Sequence, residues 1–145
     1  MQIITQSGGH NMNAKKKSPM RVDGDANKTA TLEPYEPWPK AIRAEPGKHA
    51  MKELFGGEFS VYVYETEPGL LEFEEFPFDE FVQILSGTAV ITDASGTSQT
   101  FNAGDSFIVP KGFSGTWEAQ GEYREMFIME TESMNAGFEK LGFGG

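Results

Sequence analysis

From Glu58 onward the hydrophobic residues come in short runs separated by polar turn formers. Eight runs stand out: Glu58 to Glu65, Leu70 to Phe76, Phe81 to Leu85, Thr88 to Thr92, Gln99 to Phe101, Ser106 to Val109, Gly115 to Ala119 and Tyr123 to Glu130. Each is rich in β-branched and aromatic residues and predicts a short strand. Between them lie Pro68-Gly69, Ser86-Gly87, Asp93 to Gly96, Gly104-Asp105 and Pro110-Lys111-Gly112. These supply a positive φ, a fixed φ or a local side-chain hydrogen bond. Such short gaps join antiparallel neighbours and leave no room for a βαβ crossover helix, so the pattern predicts an all-β sandwich, jelly roll or barrel.

The two ends read differently. Residues 1 to 32 are polar, lack apolar periodicity and carry too little hydrophobic surface to offset the entropy of ordering them, which predicts a disordered tail. The folded domain is then 33 to 145. It starts with Pro34-Tyr35-Glu36-Pro37-Trp38-Pro39, which the prolines hold out of helix and which predicts an extended arm applied through Tyr35 and Trp38. Glu132 to Gly145 predicts a loose tail docking through Phe138, Leu141 and Phe143.

Length and composition support one domain: 145 residues close a single core, and 17 Gly with 8 Pro suit many tight turns. With no Cys there is no disulfide framework, thiolate metal site or cysteine nucleophile, which leans towards the cytoplasm. No apolar stretch reaches the ~20 residues that a membrane helix needs. Charge is unevenly placed within the net −10: residues 33 to 145 hold seven Lys/Arg against twenty Asp/Glu, a net −13. An acidic body repels phosphate backbones, so neither nucleic acid nor an anionic membrane is expected as a partner. Ser-His-Asp arrangements, phosphate-cradling glycine loops and dinucleotide fingerprints are missing.

Glu80-Phe81-Val82-Gln83-Ile84-Leu85-Ser86-Gly87, then Gly104-Asp105, then Pro110-Lys111-Gly112-Phe113-Ser114-Gly115-Thr116-Trp117, together resemble the two motifs of the cupin superfamily. The last segment is similar to the P-x-G-x-x-G-x-W signature of the cupin-3 branch, which includes ureidoglycine aminohydrolase-like and ethanolamine-utilisation-like proteins. The resemblance covers roughly residues 35 to 130, and implies a jelly-roll barrel that dimerises and a transition metal held by three His and one Glu. The ligand set departs from that pattern. The chain has two His, His10 and His49; Phe73-Glu74-Glu75-Phe76 stand where two ligands belong and Gly115 stands where the third does. Glu80 alone survives, so no transition-metal cofactor is expected.

Side chains alternate along a strand, so an inward Glu80 takes Val82 and Ile84 with it and sends Phe81, Gln83 and Leu85 outward; Gly115 and Trp117 face in together. The expected ligand pocket is therefore bordered by Tyr62, Tyr64, Glu80, Val82 and Trp117. The leading expectation is a small-molecule-binding protein, homodimeric through Phe81 and Leu85. An enzyme using Glu80 as acid or base, isomerase-like or hydrolysing a ureido or amino compound, is the second. The third is a non-catalytic scaffold. Glu72, Glu74, Glu75 and Asp79 form a carboxylate cluster suited to a weakly held hard divalent metal, although alternation divides them between faces. His49 reads as a surface-loop residue with a proton-shuttle alternative, and Lys111 and Arg124 as the basic residues available to an anionic substrate.

Overall fold

The computed structural model describes residues 17–22, 30–34, 43–45 and 48–142. The Tyr35 and Trp38 arm, Phe143, His10 and most of the predicted tail lie outside them. The chain forms β1 (Glu33–Pro34), β2 (Arg43–Glu45), β3 (His49–Gly56), β4 (Phe59–Thr66), β5 (Gly69–Phe73), β6 (Glu80–Asp93), β7 (Ser98–Asn102), β8 (Ser106–Val109), β9 (Gly115–Glu130) and α1 (Thr131–Leu141). Every strand pairing is antiparallel.

Two long strands make the barrel. β9 pairs with β4 through Tyr123–Glu130 and with β5 through Gly115–Ala119, while β6 runs beside it from Phe81↔Ile128 to Asp93↔Gly115. One wall is thus β1-β3-β4-β9-β6-β8 and the other β2-β5-β9-β6-β7, with β6 and β9 passing from one to the other. The crossing is a bend at Ser86-Gly87 opposite Gly121, where the register slips twice. Gly87 has φ +75°, and a Cβ there would lie 2.8 Å from Gln120 O and from Tyr123 Cα, so only glycine lets the strands touch at the corner. Two predicted strand pairs, 81–85 with 88–92 and 115–119 with 123–130, are in fact single bent strands.

The turn motifs hold this frame. Gly104 (φ +95°) donates to Ile84 O at 2.8 Å, Ile84 N donates to Asp105 O at 2.9 Å, and Asn102 N donates to Asp105 Oδ2 at 2.8 Å. Gly112 N donates to Phe76 O, and Phe76 N to Phe113 O, both at 2.7 Å. The motif glycines and Asp105 are fold residues, as expected.

The C-terminal segment is not a loose tail but helix α1. Glu130 caps it by accepting from Ser133 N at 3.2 Å, and Gly142 (φ 98°) closes it in a left-handed cap. Met134 is buried, and Gly137 lets the helix press on Phe78: a Cβ at 137 would fall 2.3 Å from that ring. Leu85 also differs from expectation. It points away from the barrel interior, yet it is buried with Val61, Val63 and Met126 in a second apolar cluster backed by Leu32, Leu54 and Phe55. The chain covers Leu85 itself, leaving nothing of it for a partner. Among the described residues no helix is long and apolar enough to cross a membrane.

Candidate functional site: a carboxyl pair in an aromatic chamber

Strand parity builds the interior. On β9 the odd positions Trp117, Ala119, Tyr123, Glu125, Phe127 and Met129 all line one chamber, because the Gly121 bend keeps the alternation in phase. β4 contributes Tyr64 and Thr66, β5 Leu71 and Phe73, and β6 Glu80. Helix α1 adds Phe138 and Leu141 as a further wall. Counted as space that the centre of a water-sized sphere can occupy, the chamber is about 80 Å³, several times what one water needs.

Aromatic rings meeting edge to face stiffen the walls. Phe73 meets Phe76 with centroids 5.0 Å apart, Phe76 meets Phe78 at 4.8 Å, and Phe78 meets Phe138 at 5.5 Å, a ladder that ties β5 to α1. Trp117 is wedged against Phe73 at 6.5 Å and Phe107 at 5.7 Å.

Into this apolar space project two carboxyls, Glu80 and Glu125, 6% and 4% exposed. The Tyr123 hydroxyl donates to Glu125 Oε1 and accepts from the Trp117 indole. Burial pushes Glu125 up to about 7, against the opposing pull of the Tyr123 hydrogen bond. Burial first, then the charge of Glu125, holds Glu80 well above the usual carboxylate range. The Tyr123 phenol is raised as well, by burial and then by Glu125. Two buried acids share the site, so ionising one makes ionising the other costlier.

Of the five expected pocket residues, Tyr64, Glu80 and Trp117 line the chamber together. Tyr62 shares their face of β4 but stacks on Phe127 at 5.2 Å, sends its hydroxyl to Glu53 at 3.1 Å and borders a separate depression between β3, β4 and α1. Val82 is fully buried core outside the chamber lining. Glu125 and Tyr123 were missed. Their signal was present: the odd series from Trp117 continues through position 129 and contains one carboxylate among apolar and aromatic residues.

The remaining candidates disperse. Glu74, Glu75 and Asp79 are exposed and Glu72 is half-buried, and Asp79 Oδ1 accepts from Lys111 N at 2.8 Å to fasten a turn. Lys111 is exposed, and Arg124 donates to Ala30 O. His49 is not in a loop: it opens β3 opposite Thr66, with its ring 6.1 Å from Tyr64. Gly115 is paired between Phe73 on β5 and Asp93 on β6, and a Cβ there would fall 2.0 Å from Thr92 O. The strands carrying positions 80 and 115 are neighbours, but the register sets 115 at the opposite end from 80. The residues therefore do not fit the three-His, one-Glu metal site. Phe73 and Phe76 fill the ladder, and the backbone around Gly115 has no room for a ligating side chain. Among the described residues no three His, Cys, Asp or Glu side chains group closely enough to hold an ion.

A bent-strand jelly roll with cupin turn motifs and a chamber between its walls defines a protein of the cupin class. More narrowly, the chain belongs to the EutQ-like cupin domain family, whose model matches residues 53–127. Solved structures share the fold. The EutQ protein of Clostridium difficile is 18% identical, with 59% of this chain covering 69% of that one at a TM-score of 0.51. A Pseudomonas syringae pv. tomato protein of unknown function is 22% identical (70% of this chain, 45% of that one, TM-score 0.57). The polyketide cyclase RemF of Streptomyces resistomycificus is 16% identical (77% and 79%, TM-score 0.54). No curated protein sequence matches the chain significantly.

Proposed function

We propose that this cupin binds a small molecule in the aromatic chamber, seated against Glu80 and Glu125. The observation that carries the reading is the convergence of two buried carboxyls and a phenol on an otherwise apolar cavity, the usual make-up of a small-molecule site. Ala119 offers the test, because its side chain lines the chamber and a larger one would fill it. Native mass spectrometry of gently purified protein is expected to show a carried small molecule that Ala119→Leu loses while remaining folded. A wild type that carries nothing and gains no thermal stability from any ligand class screened would end the proposal.

Glu125, at about 7, favours catalysis as a second reading. A carboxyl titrating near working pH suits a general base, and a neighbour kept protonated suits the matching acid. One structural neighbour is a polyketide cyclase, so the scaffold is compatible with chemistry on a small molecule. Glu80→Gln and Glu125→Gln separate the readings: turnover falling at unchanged affinity marks catalysis, and affinity falling alone marks binding.

We also propose a homodimer. Phe81 and Ile108 are cross-strand neighbours on the outer face, 37% and 65% exposed, and β8 has β6 as its only strand partner among the described residues. Light scattering behind size exclusion should give twice the chain mass, with Ile108→Glu shifting it to monomer. A monomeric wild type at micromolar concentration would refute the dimer.

A further inference from the structure

We infer that the chamber's ligand is a small organic ammonium ion, its N–H donors directed at Glu80 and its hydrocarbon portion packed among the aromatic walls. This deepens the small-molecule reading and depends on it.

Three observations converge on a cation. Glu80 is the first: it lines the chamber, is 6% exposed, and shares that space with a second buried carboxyl, Glu125. Two of the chamber's donors are already committed, the Tyr123 hydroxyl to Glu125 and the Trp117 indole to Tyr123, so N–H groups brought by a ligand would meet carboxyl oxygens able to accept them. The second observation is charge. Among the described residues no Lys, Arg or His lines the chamber, so an anionic occupant would meet two acids with nothing to balance it, whereas a cation favours the ionised form of one acid and offsets its charge. Third, the walls present ring after ring, among them Tyr64, Phe73, Trp117 and Phe127, whose faces attract a cation and pack against methylene groups.

The remaining charges work in the same direction. An acidic body of net −13 raises the local concentration of a small cation and its rate of entry. A quaternary ammonium would satisfy the rings but offer no hydrogen to Glu80, so primary and secondary amines are the better match. A bare divalent metal fits poorly, because it needs several oxygen ligands and, beyond the two carboxyls, the described lining is mostly apolar with only the hydroxyl-bearing Tyr64, Thr66 and Tyr123.

Isothermal titration with isosteric probes tests the assignment: n-propylammonium and n-butylammonium, the alcohols and carboxylates of the same lengths, and Mg²⁺ or Mn²⁺ alone. The ammonium ions are expected to bind and raise Tm, with Glu80→Gln weakening them at least about tenfold while far-UV circular dichroism stays unchanged. The neutral and anionic isosteres should bind at least about tenfold more weakly than their ammonium counterparts. If alcohol or carboxylate binds as well as the amine and Ala119→Leu abolishes it, the ligand class is overturned and the chamber reading survives. If no probe of any charge binds, both are overturned. Stoichiometric Mn²⁺ binding that Glu80→Gln removes and that excludes the amines would likewise overturn the ammonium assignment.

Discussion

Restoring the histidine that other cupins carry at the third ligand position, by Gly115→His, is expected to unfold this protein rather than to give it a metal. The Cβ would fall 2.0 Å from Thr92 O, backbone that a rotamer change cannot move. Position 115 is pinned on both sides, by Phe73 on β5 and Asp93 on β6, so relief would need the walls to part. Overpacking against fixed backbone places the loss at about 3 kcal/mol or more. Gly115→Ala carries the same Cβ and is expected to lose nearly as much. Gly96→Ala is the control: its φ of +90° is comparably unfavourable to a side chain, but nothing lies within 4 Å, so its cost is only about 1 kcal/mol. Urea denaturation of the three variants decides the matter. Gly115→Ala matching Gly96→Ala would mean that β6 and β9 are not in this register, and nickel or zinc retained by a folded Gly115→His would show that the ligand site had been reducible to a single residue.

That constraint explains how far the sequence could be read. Turn chemistry and two-residue alternation are local, so Gly104-Asp105, Pro110 to Gly112 and the inward face of Glu80 were legible without coordinates. The bends were not. At Gly87 and Gly121 the chain turns a corner without ending a strand, and taking each corner as a turn divided β9 in two. The odd-numbered series then stopped at Ala119, and Glu125, eight residues past Trp117, the last expected pocket member on that side, fell outside it. Helix α1 carried a signal in Met134, Phe138 and Leu141 at four- and three-residue spacing, obscured by Asn135 and Gly137, which are weak helix formers. Gly137 is there for contact with Phe78, a tertiary reason that propensity does not see. Strand β3 escaped notice because a bulge between Glu53 and Phe55 breaks its alternation.

The second large effect concerns pH. Glu125 and Glu80 both ionise less readily in the folded chain than in the unfolded one, where a glutamate titrates near 4.5. Above that value the unfolded chain has released these protons while the folded chain still holds them, so stability declines as pH rises. The contribution of Glu125 is complete below pH 4.5 and is lost on passing through about 7. At about 1.4 kcal/mol per pH unit this amounts to about 3 kcal/mol, and Glu80, raised likewise, adds to the decline in the same sense. Asp93 works in the opposite sense, its carboxylate being favoured by hydrogen bonds from Ser95 first and then Thr97, but its range lies below 3.8 and outside this window. Urea titrations of the wild type at intervals from pH 5 to pH 8 should therefore show falling stability. Glu125→Gln should flatten much of that slope and be the more stable protein at pH 8, since the amide keeps an acceptor for the Tyr123 hydroxyl without a charge to bury. A wild type whose stability climbs between pH 5 and pH 8, or a Glu125→Gln variant that keeps the full slope, would show that the pair is not buried as described. The slope also reports on the occupant. An ammonium ion seated between the two carboxyls favours the ionised form, so saturating butylammonium should shallow the decline in the wild type and leave the Glu80→Gln, Glu125→Gln double variant unaffected.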